Sequence, residues 1–261
     1  RLQRYATDRA VEAGWQFFTA GASTGKSVGI VGGGPAGLAC AHELRRFGHA
    51  VTIYEKRPQL GGLNTTGIAP YKLKSEDSLA EIDQVLAIGG IEVKLGCTVG
   101  GASDDVALTA LRERHDAVFL GVGLGADTAL RLPGATLTGI VGAVDWIESM
   151  KLGRVQLAGV QRAVVIGGGN TAMDVLRELR VLGVPSVTMI YRGDELAMSG
   201  YAHEWQAAQT AGVVAAWRSQ PVAFEGNGNV SAVRCVRTDE HRRPIEGSEL
   251  VVPADLVILA I

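Results

Sequence analysis

Cysteine is scarce in this chain: three in 261 residues, Cys40, Cys97 and Cys235, with no C-x-x-C pair. That leaves no local redox dithiol and no cysteine-rich zinc or iron–sulfur site encoded here. No metal ligand set is expected. A thiol-poor composition suits a reducing cytoplasm. No apolar run approaches the roughly 20 residues of a membrane-spanning helix. Net charge is only −2, with no basic stripe for nucleic acid. The start, Arg1-Leu2-Gln3-Arg4-Tyr5, has neither an initiator Met nor a signal-peptide pattern. The last apolar stretch runs to the final residue, so the chain reads as a piece truncated at both ends.

What is abundant is glycine, at 35 residues. Gly32-Gly33-Gly34-Pro35-Ala36-Gly37 follows a short apolar strand at 27–31 and opens a helix. It gives G-x-G-x-x-G: a tight turn, a close backbone approach to a pyrophosphate, and close packing of helix on strand. The helix N-terminus aims its N–H groups and positive dipole end at the same spot. The next strand, 50–54, ends at Glu55, 23 residues beyond Gly32, where a carboxylate can hold a ribose diol.

The pattern occurs a second time. A strand at 162–166 leads into Gly167-Gly168-Gly169-Asn170-Thr171-Ala172, a G-x-G-x-x-A. The following strand, 186–191, ends at Arg192. Glutamate closes the first ribose site and arginine the second. Two such units in a chain of this length predict two different dinucleotides, the outline of a flavin enzyme with an inserted nicotinamide domain. Gly48 and Gly183 are placed to stop the two helices. Gly61-Gly62 would let backbone run beside a bound cofactor, and the strand at 117–120 ends in Gly121, where a side chain would crowd a nucleotide.

The expected organisation is a linker over 1–24, an FAD-binding part over 25–131 and an NAD(P)H-binding part over 132–253. A strand over 254–261 is expected to return to the first domain. Within the second part, 225–229 reads as a hairpin turn and 239–248 as a polar loop.

Taken together the residues resemble the family of the small (beta) subunit of NADPH-dependent glutamate synthase and the flavin half of dihydropyrimidine dehydrogenase. The resemblance covers essentially the whole chain. It rests on residues 1–8, 31–37, Tyr54-Glu55-Lys56, Gly61-Gly62-Leu63-Asn64, 67–73, 167–174, Tyr191-Arg192, 198–204 and 254–260. It implies an α/β fold with two Rossmann-like domains in a glutathione-reductase-like arrangement, FAD outside and NAD(P)H inserted. Electrons would pass from nicotinamide to flavin to iron–sulfur clusters, which in the family belong to a cysteine-rich domain or a partner subunit, so their ligands lie outside this piece. Position by position, Gly32, Gly34, Pro35, Ala36 and Gly37 would hold the FAD pyrophosphate and Glu55, with Lys56 beside it, the adenosine ribose. Gly62 and Leu63 would line the cofactor, Lys72 would offer it a positive charge, and Val99 and Gly121 would border its adenine and flavin ends. Gly167, Gly168, Gly169, Asn170 and Thr171 would hold the second pyrophosphate, and Arg192 the adenosine end. The cofactors supply the reactive atoms, so no catalytic side chain is assigned.

One departure bears on coenzyme choice. Relatives strict for NADPH carry two adjacent basic residues after that strand, whereas here Arg192 is followed by Gly193 and Asp194, which would repel a phosphate. NADPH is therefore preferred only modestly over NADH. The acceptor could be a glutamate synthase large subunit, a dihydropyrimidine dehydrogenase partner or another iron–sulfur protein. A disulfide reductase and a non-catalytic dinucleotide-binding scaffold are the competing readings, the first weakened by the missing C-x-x-C.

Overall fold

The computed structural model describes residues 2–100, 106–125 and 130–261; Arg1 of the motif over 1–8 lies outside them. The chain divides into two compact units, Arg1–Gly125 and Ala126–Ile261. The division falls six residues before the boundary expected at 131.

The first unit runs α1 (Leu2–Glu12), β1 (Ser27–Val31), α2 (Pro35–Arg46), β2 (Ala50–Glu55), α3 (Leu63–Thr66), α4 (Ser75–Leu86), β3 (Ile91–Leu95), α5 (Leu108–Arg114) and β4 (Ala117–Leu120). Its strands make one parallel sheet in the order β3-β2-β1-β4. That order puts β1 inside the sheet, which explains why Ile30 and Val31 are buried. Leu38 and Ala41 of α2, three residues apart, pack on Ile30, Val51 and Ile53, with Leu44 beside them. Phe47, next along that spacing, is exposed instead, because the helix ends there. Gly48 stops it in the left-handed conformation (φ +82°), with the His49 N–H donating to the Leu44 carbonyl at 3.0 Å.

The second unit runs β5 (Ile140–Gly142), α6 (Ala143–Lys151), β6 (Arg162–Ile166), α7 (Asn170–Val181), β7 (Ser186–Ile190), α8 (Ala202–Thr210), β8 (Val214–Ala216), β9 (Ser219–Asn227), β10 (Asn229–Thr238), β11 (Pro244–Pro253) and β12 (Leu256–Leu259). A parallel sheet, β5-β12-β6-β7-β8, sits beside an antiparallel sheet, β11-β10-β9. On one face of the parallel sheet, Met173, Val175, Leu176 and Leu179 of α7 join Trp205 of α8 and Trp146 of α6. On the other, Phe224, Val233 and Cys235 of the antiparallel sheet pack on Val164, Ile166, Val257 and Leu259.

Two expectations are corrected here. The stretch 239–248, read as a polar loop, enters β11 at Pro244. This is an edge strand, exposed over its first four residues, so its polarity hid it; only from Ser248 on do alternate residues turn inward. The strand over 254–261 does not return to the first unit. β12 pairs in parallel with β5 and β6 of the second. Its residues alternate between the two cores, Leu256 and Ile258 to the helices and Val257 and Leu259 to the antiparallel sheet.

β12 stands to β6 as β4 stands to β1. Asp116, before β4, accepts from the Ser27 N–H at 2.9 Å and from Lys26 Nζ at 2.8 Å. Asp255, before β12, accepts from the Gln161 and Arg162 N–H groups at 3.0 and 2.9 Å and from the Arg162 guanidinium at 2.6 Å. The arginine is the main reason its carboxyl is held below the usual carboxylate range. A Rossmann-like unit needs its own strand on that side of the glycine-loop strand. An unbroken apolar run says only that a strand is central, not which sheet it joins. No described helix is long and apolar enough to cross a membrane.

Candidate functional site

The first glycine loop sits between β1 and α2, and each glycine there can be asked what a side chain would meet. At Gly32 (φ +102°) a Cβ would run into the Gly121 carbonyl, and at Gly37 into the Gly32 carbonyl. These glycines are required by the fold. Gly34 is not. A Cβ there would meet nothing nearer than Gly62 Cα at 3.9 Å, and its backbone (φ −77°, ψ −176°) is one any residue adopts. Its open side lies at the N-terminus of α2, where Pro35 and Ala36 are exposed and the positive end of the helix dipole favours an anion.

Glu55 does more than the sequence suggested. It is buried, 5% exposed, at the end of β2. One carboxylate oxygen accepts the Gly33 N–H at 2.7 Å and the other the Arg57 N–H at 2.8 Å. The side chain therefore clamps the glycine loop, and a carboxylate has further lone pairs to offer a ribose. The 60–63 segment closes on the same loop. The Gly61 N–H donates to the Gly33 carbonyl at 2.8 Å, and a Cβ at Gly62 would stand 3.1 Å from Gly34 Cα. Leu63 beside it is exposed. Gly121 hydrogen-bonds Val31 at 2.8 Å and packs on the loop from the β4 side. The structure thus brings Gly32–Gly37, Glu55, Gly62, Leu63 and Gly121 together.

The remaining first-unit candidates stand further out. Lys56 is exposed just past β2. Lys72 is exposed, its ammonium 5.4 Å from the Tyr71 ring centre. Val99 is half-buried against Val31, Tyr54 and Leu111, and so belongs partly to a small core. Two residues before it, the Cys97 N–H donates to the Glu55 carbonyl at 2.9 Å.

The second loop, between β6 and α7, repeats the geometry. A Cβ at Gly167 (φ +139°) would overlap the Ala260 carbonyl, and one at Gly168 would crowd the Tyr191 ring at 2.7 Å. At Gly169 only Ser199 Oγ comes near, at 3.8 Å, and the backbone (φ −87°, ψ 178°) is again ordinary. Thr171 is exposed on the first turn of α7. Asn170 accepts the Tyr201 N–H at 3.1 Å through Oδ1, and the Gly200 N–H donates to the Gly168 carbonyl at 2.9 Å. This brings the exposed Ser199 hydroxyl to the open side of Gly169. Sequence reasoning did not single out Ser199; its only signal was its place in the 198–204 motif. Glu204, the last residue of the 198–204 motif, is buried in the first turn of α8.

At the end of β7, Arg192 is exposed, and its guanidinium has no hydrogen bond or ion pair among the described residues. Asp194 is not free to repel a phosphate. Its carboxylate accepts the Ala197 N–H at 3.0 Å and pairs with the Arg218 guanidinium at 2.9 Å. These bonds hold it below the usual carboxylate range.

The residues matched by the family model for pyridine nucleotide-disulphide oxidoreductases are 26–261, both glycine loops included. The chain belongs to that family. It is 39% identical to the glutamate synthase [NADPH] small chain of Escherichia coli over 99% of this chain and 59% of that one. With the putative oxidoreductase AegA of the same organism it shares 38% over 99% of this chain and 42% of the relative. The chain thus spans about half the length of these relatives. In the Mycobacterium tuberculosis FprA structure in complex with NADPH the same fold recurs, with a TM-score of 0.74 at 21% identity, covering 90% of this chain and 70% of that one. The family name mentions disulphides, a chemistry that two of the three thiols, Cys40 and Cys235, do not suit. Burial raises the Cys40 thiol and pushes that of Cys235 up to about 12, far from a reactive thiolate.

Proposed function

We propose that this chain is the dinucleotide-binding portion of an FAD-dependent NAD(P)H oxidoreductase that feeds electrons to an iron–sulfur acceptor held outside it. The observation that carries the reading is the pair of glycines, Gly34 and Gly169, for which the fold has no use. Each leaves backbone open at a helix N-terminus, where a pyrophosphate can approach and a side chain would stand in its way. FAD goes to the first loop because Glu55 can accept from a ribose diol; the nicotinamide coenzyme goes to the second because Arg192 can meet a phosphate. When bound, reduced nicotinamide would supply a hydride, and flavin would pass its two electrons on one at a time and release the proton. This chain's residues bind and orient: Gly34 and Gly169 give access, Glu55 fixes the first loop and the adenosine, and Ser199 and Thr171 are available to the second pyrophosphate. Gly62, Leu63, Lys56, Lys72, Val99 and Gly121 complete the first site.

An acceptor outside the chain is supported by the name "small chain", which makes that relative a subunit of a larger enzyme. The test is anaerobic addition of NADPH to the flavin-loaded full-length protein. Bleaching of the flavin absorption within the mixing time or on the time scale of turnover is expected. A flavin that stays oxidised while NADPH binds would make the protein a dinucleotide-binding scaffold instead.

A further inference from the structure

Among the described residues only two non-glycine positions adopt the left-handed backbone, Arg218 (φ +47°) and Arg242 (φ +63°). Both are arginines, residues rarely found there, and both meet the turn that follows β7. Arg218 donates its N–H to the Gly193 carbonyl at 2.8 Å and neutralises Asp194. Arg242 arrives from the turn between β10 and β11. Its Nε lies 3.5 Å from where a Cβ at Gly193 would stand, and Nη2 reaches the Ala197 carbonyl at 3.4 Å. Gly193 is buried although both its neighbours are more exposed. Arg242 thus packs against Gly193 at van der Waals distance, beside the Tyr191 ring and Ala197, which a side chain at 193 would meet first, at 2.8 and 3.3 Å.

The turn is held independently of any ligand. Asp239 accepts from the His241 and Arg243 N–H groups at 2.9 and 2.8 Å, and pairs with the Arg243 guanidinium at 3.0 Å. Asp194 and Asp239 are thus engaged by Arg218 and Arg243, while Arg192 and Arg242 have no carboxylate partner among the described residues. Glu195 and Glu240 remain as exposed acids nearby.

We propose that Arg242, delivered from the β10–β11 turn, acts with Arg192 as the second cation of a phosphomonoester subsite at the end of β7, and that this pair selects NADPH over NADH. The inference rests on the nicotinamide assignment of the second loop. The second cation, missing from the sequence after Arg192, is supplied by a different element and lies over Gly193. A guanidinium suits the role, since its planar set of N–H donors matches phosphate oxygens.

The test is calorimetric titration of the flavin-loaded full-length protein with adenosine 2′,5′-bisphosphate and with 5′-AMP, which differ only in the 2′-phosphate. The informative variant is Arg242→Gly, because glycine accepts the left-handed backbone and the turn keeps its shape. It is expected to bind the bisphosphate about tenfold more weakly and AMP as before. Arg242→Lys should recover part of the loss, since it keeps the charge but not the fork. Unchanged bisphosphate affinity in Arg242→Gly, alongside a loss in Arg192→Ala, overturns the role of Arg242 and leaves the coenzyme site standing. An equal loss for both ligands makes Arg242 a support of the turn and also overturns it. Failure of the wild type to bind either ligand overturns the nicotinamide assignment itself.

Discussion

Gly34→Val is expected to empty the first site while the first unit stays folded. The valine backbone fits φ −77° and ψ −176°, and the nearest atom to its Cβ is 3.9 Å away. The cost to the fold is then that of a poorer N-cap for α2, about 1 kcal/mol, a shift of a few degrees in melting midpoint. The cost to binding is of another order. A branched side chain on the open face of the loop prevents N–H groups from meeting phosphate oxygens, and each such charge-assisted bond contributes about 1.5–3 kcal/mol. FAD affinity should therefore fall on the order of a hundredfold or more. Gly37→Val is the contrast: its Cβ falls on the Gly32 carbonyl, so flavin and fold should be lost together. Flavin retained through dialysis by Gly34→Val would mean that the open face of this loop is not the pyrophosphate site.

Glu55→Ala is expected to damage two things at once. It removes the acceptor of the Gly33 and Arg57 N–H groups, and a hydrogen bond to a charged group is worth about 1.5–3 kcal/mol. Gly33 is buried, so its N–H is left with little access to water. Melting of the flavin-free protein should drop by several degrees. The same carboxylate is proposed to hold the adenosine ribose, so FAD affinity should fall a further ten- to a hundredfold. Glu55→Gln keeps the shape and one acceptor oxygen and should lie between. A flavin-free melting midpoint equal to wild type would remove the clamp. Undiminished FAD affinity would remove the ribose contact.

Legibility of the fold and site varied with how local the cause is. Both glycine loops, the strands before them and the helix stops at Gly48 and Gly183 follow from short-range chemistry, and each is where the spacing predicts it. Glu55 could be found because a strand end is a fixed distance from the loop. Its bond to Gly33 could not, since it spans two strands of the sheet. β12 was recognisable as a buried strand, but its sheet depends on pairing 90 or more residues away, with Asp255 meeting Arg162. Asp194 shows the same limit in charge rather than topology. Beside Arg192 in sequence it is a repulsive carboxylate; in space Arg218, from the start of the antiparallel sheet, has already engaged it. Arg242 was silent for the same reason, reaching Gly193 from 49 residues downstream.

The central claim, that the two glycine loops hold different dinucleotides, is tested most directly by Gly169→Val. Here too the fold leaves room, with Ser199 Oγ 3.8 Å from the new Cβ. The measurement is NADP+ binding by calorimetry on the purified full-length variant, with flavin content read from the same sample. The account predicts flavin at the wild-type level and NADP+ affinity reduced on the order of a hundredfold. Flavin lost with NADP+ binding intact would contradict it and reverse the two assignments.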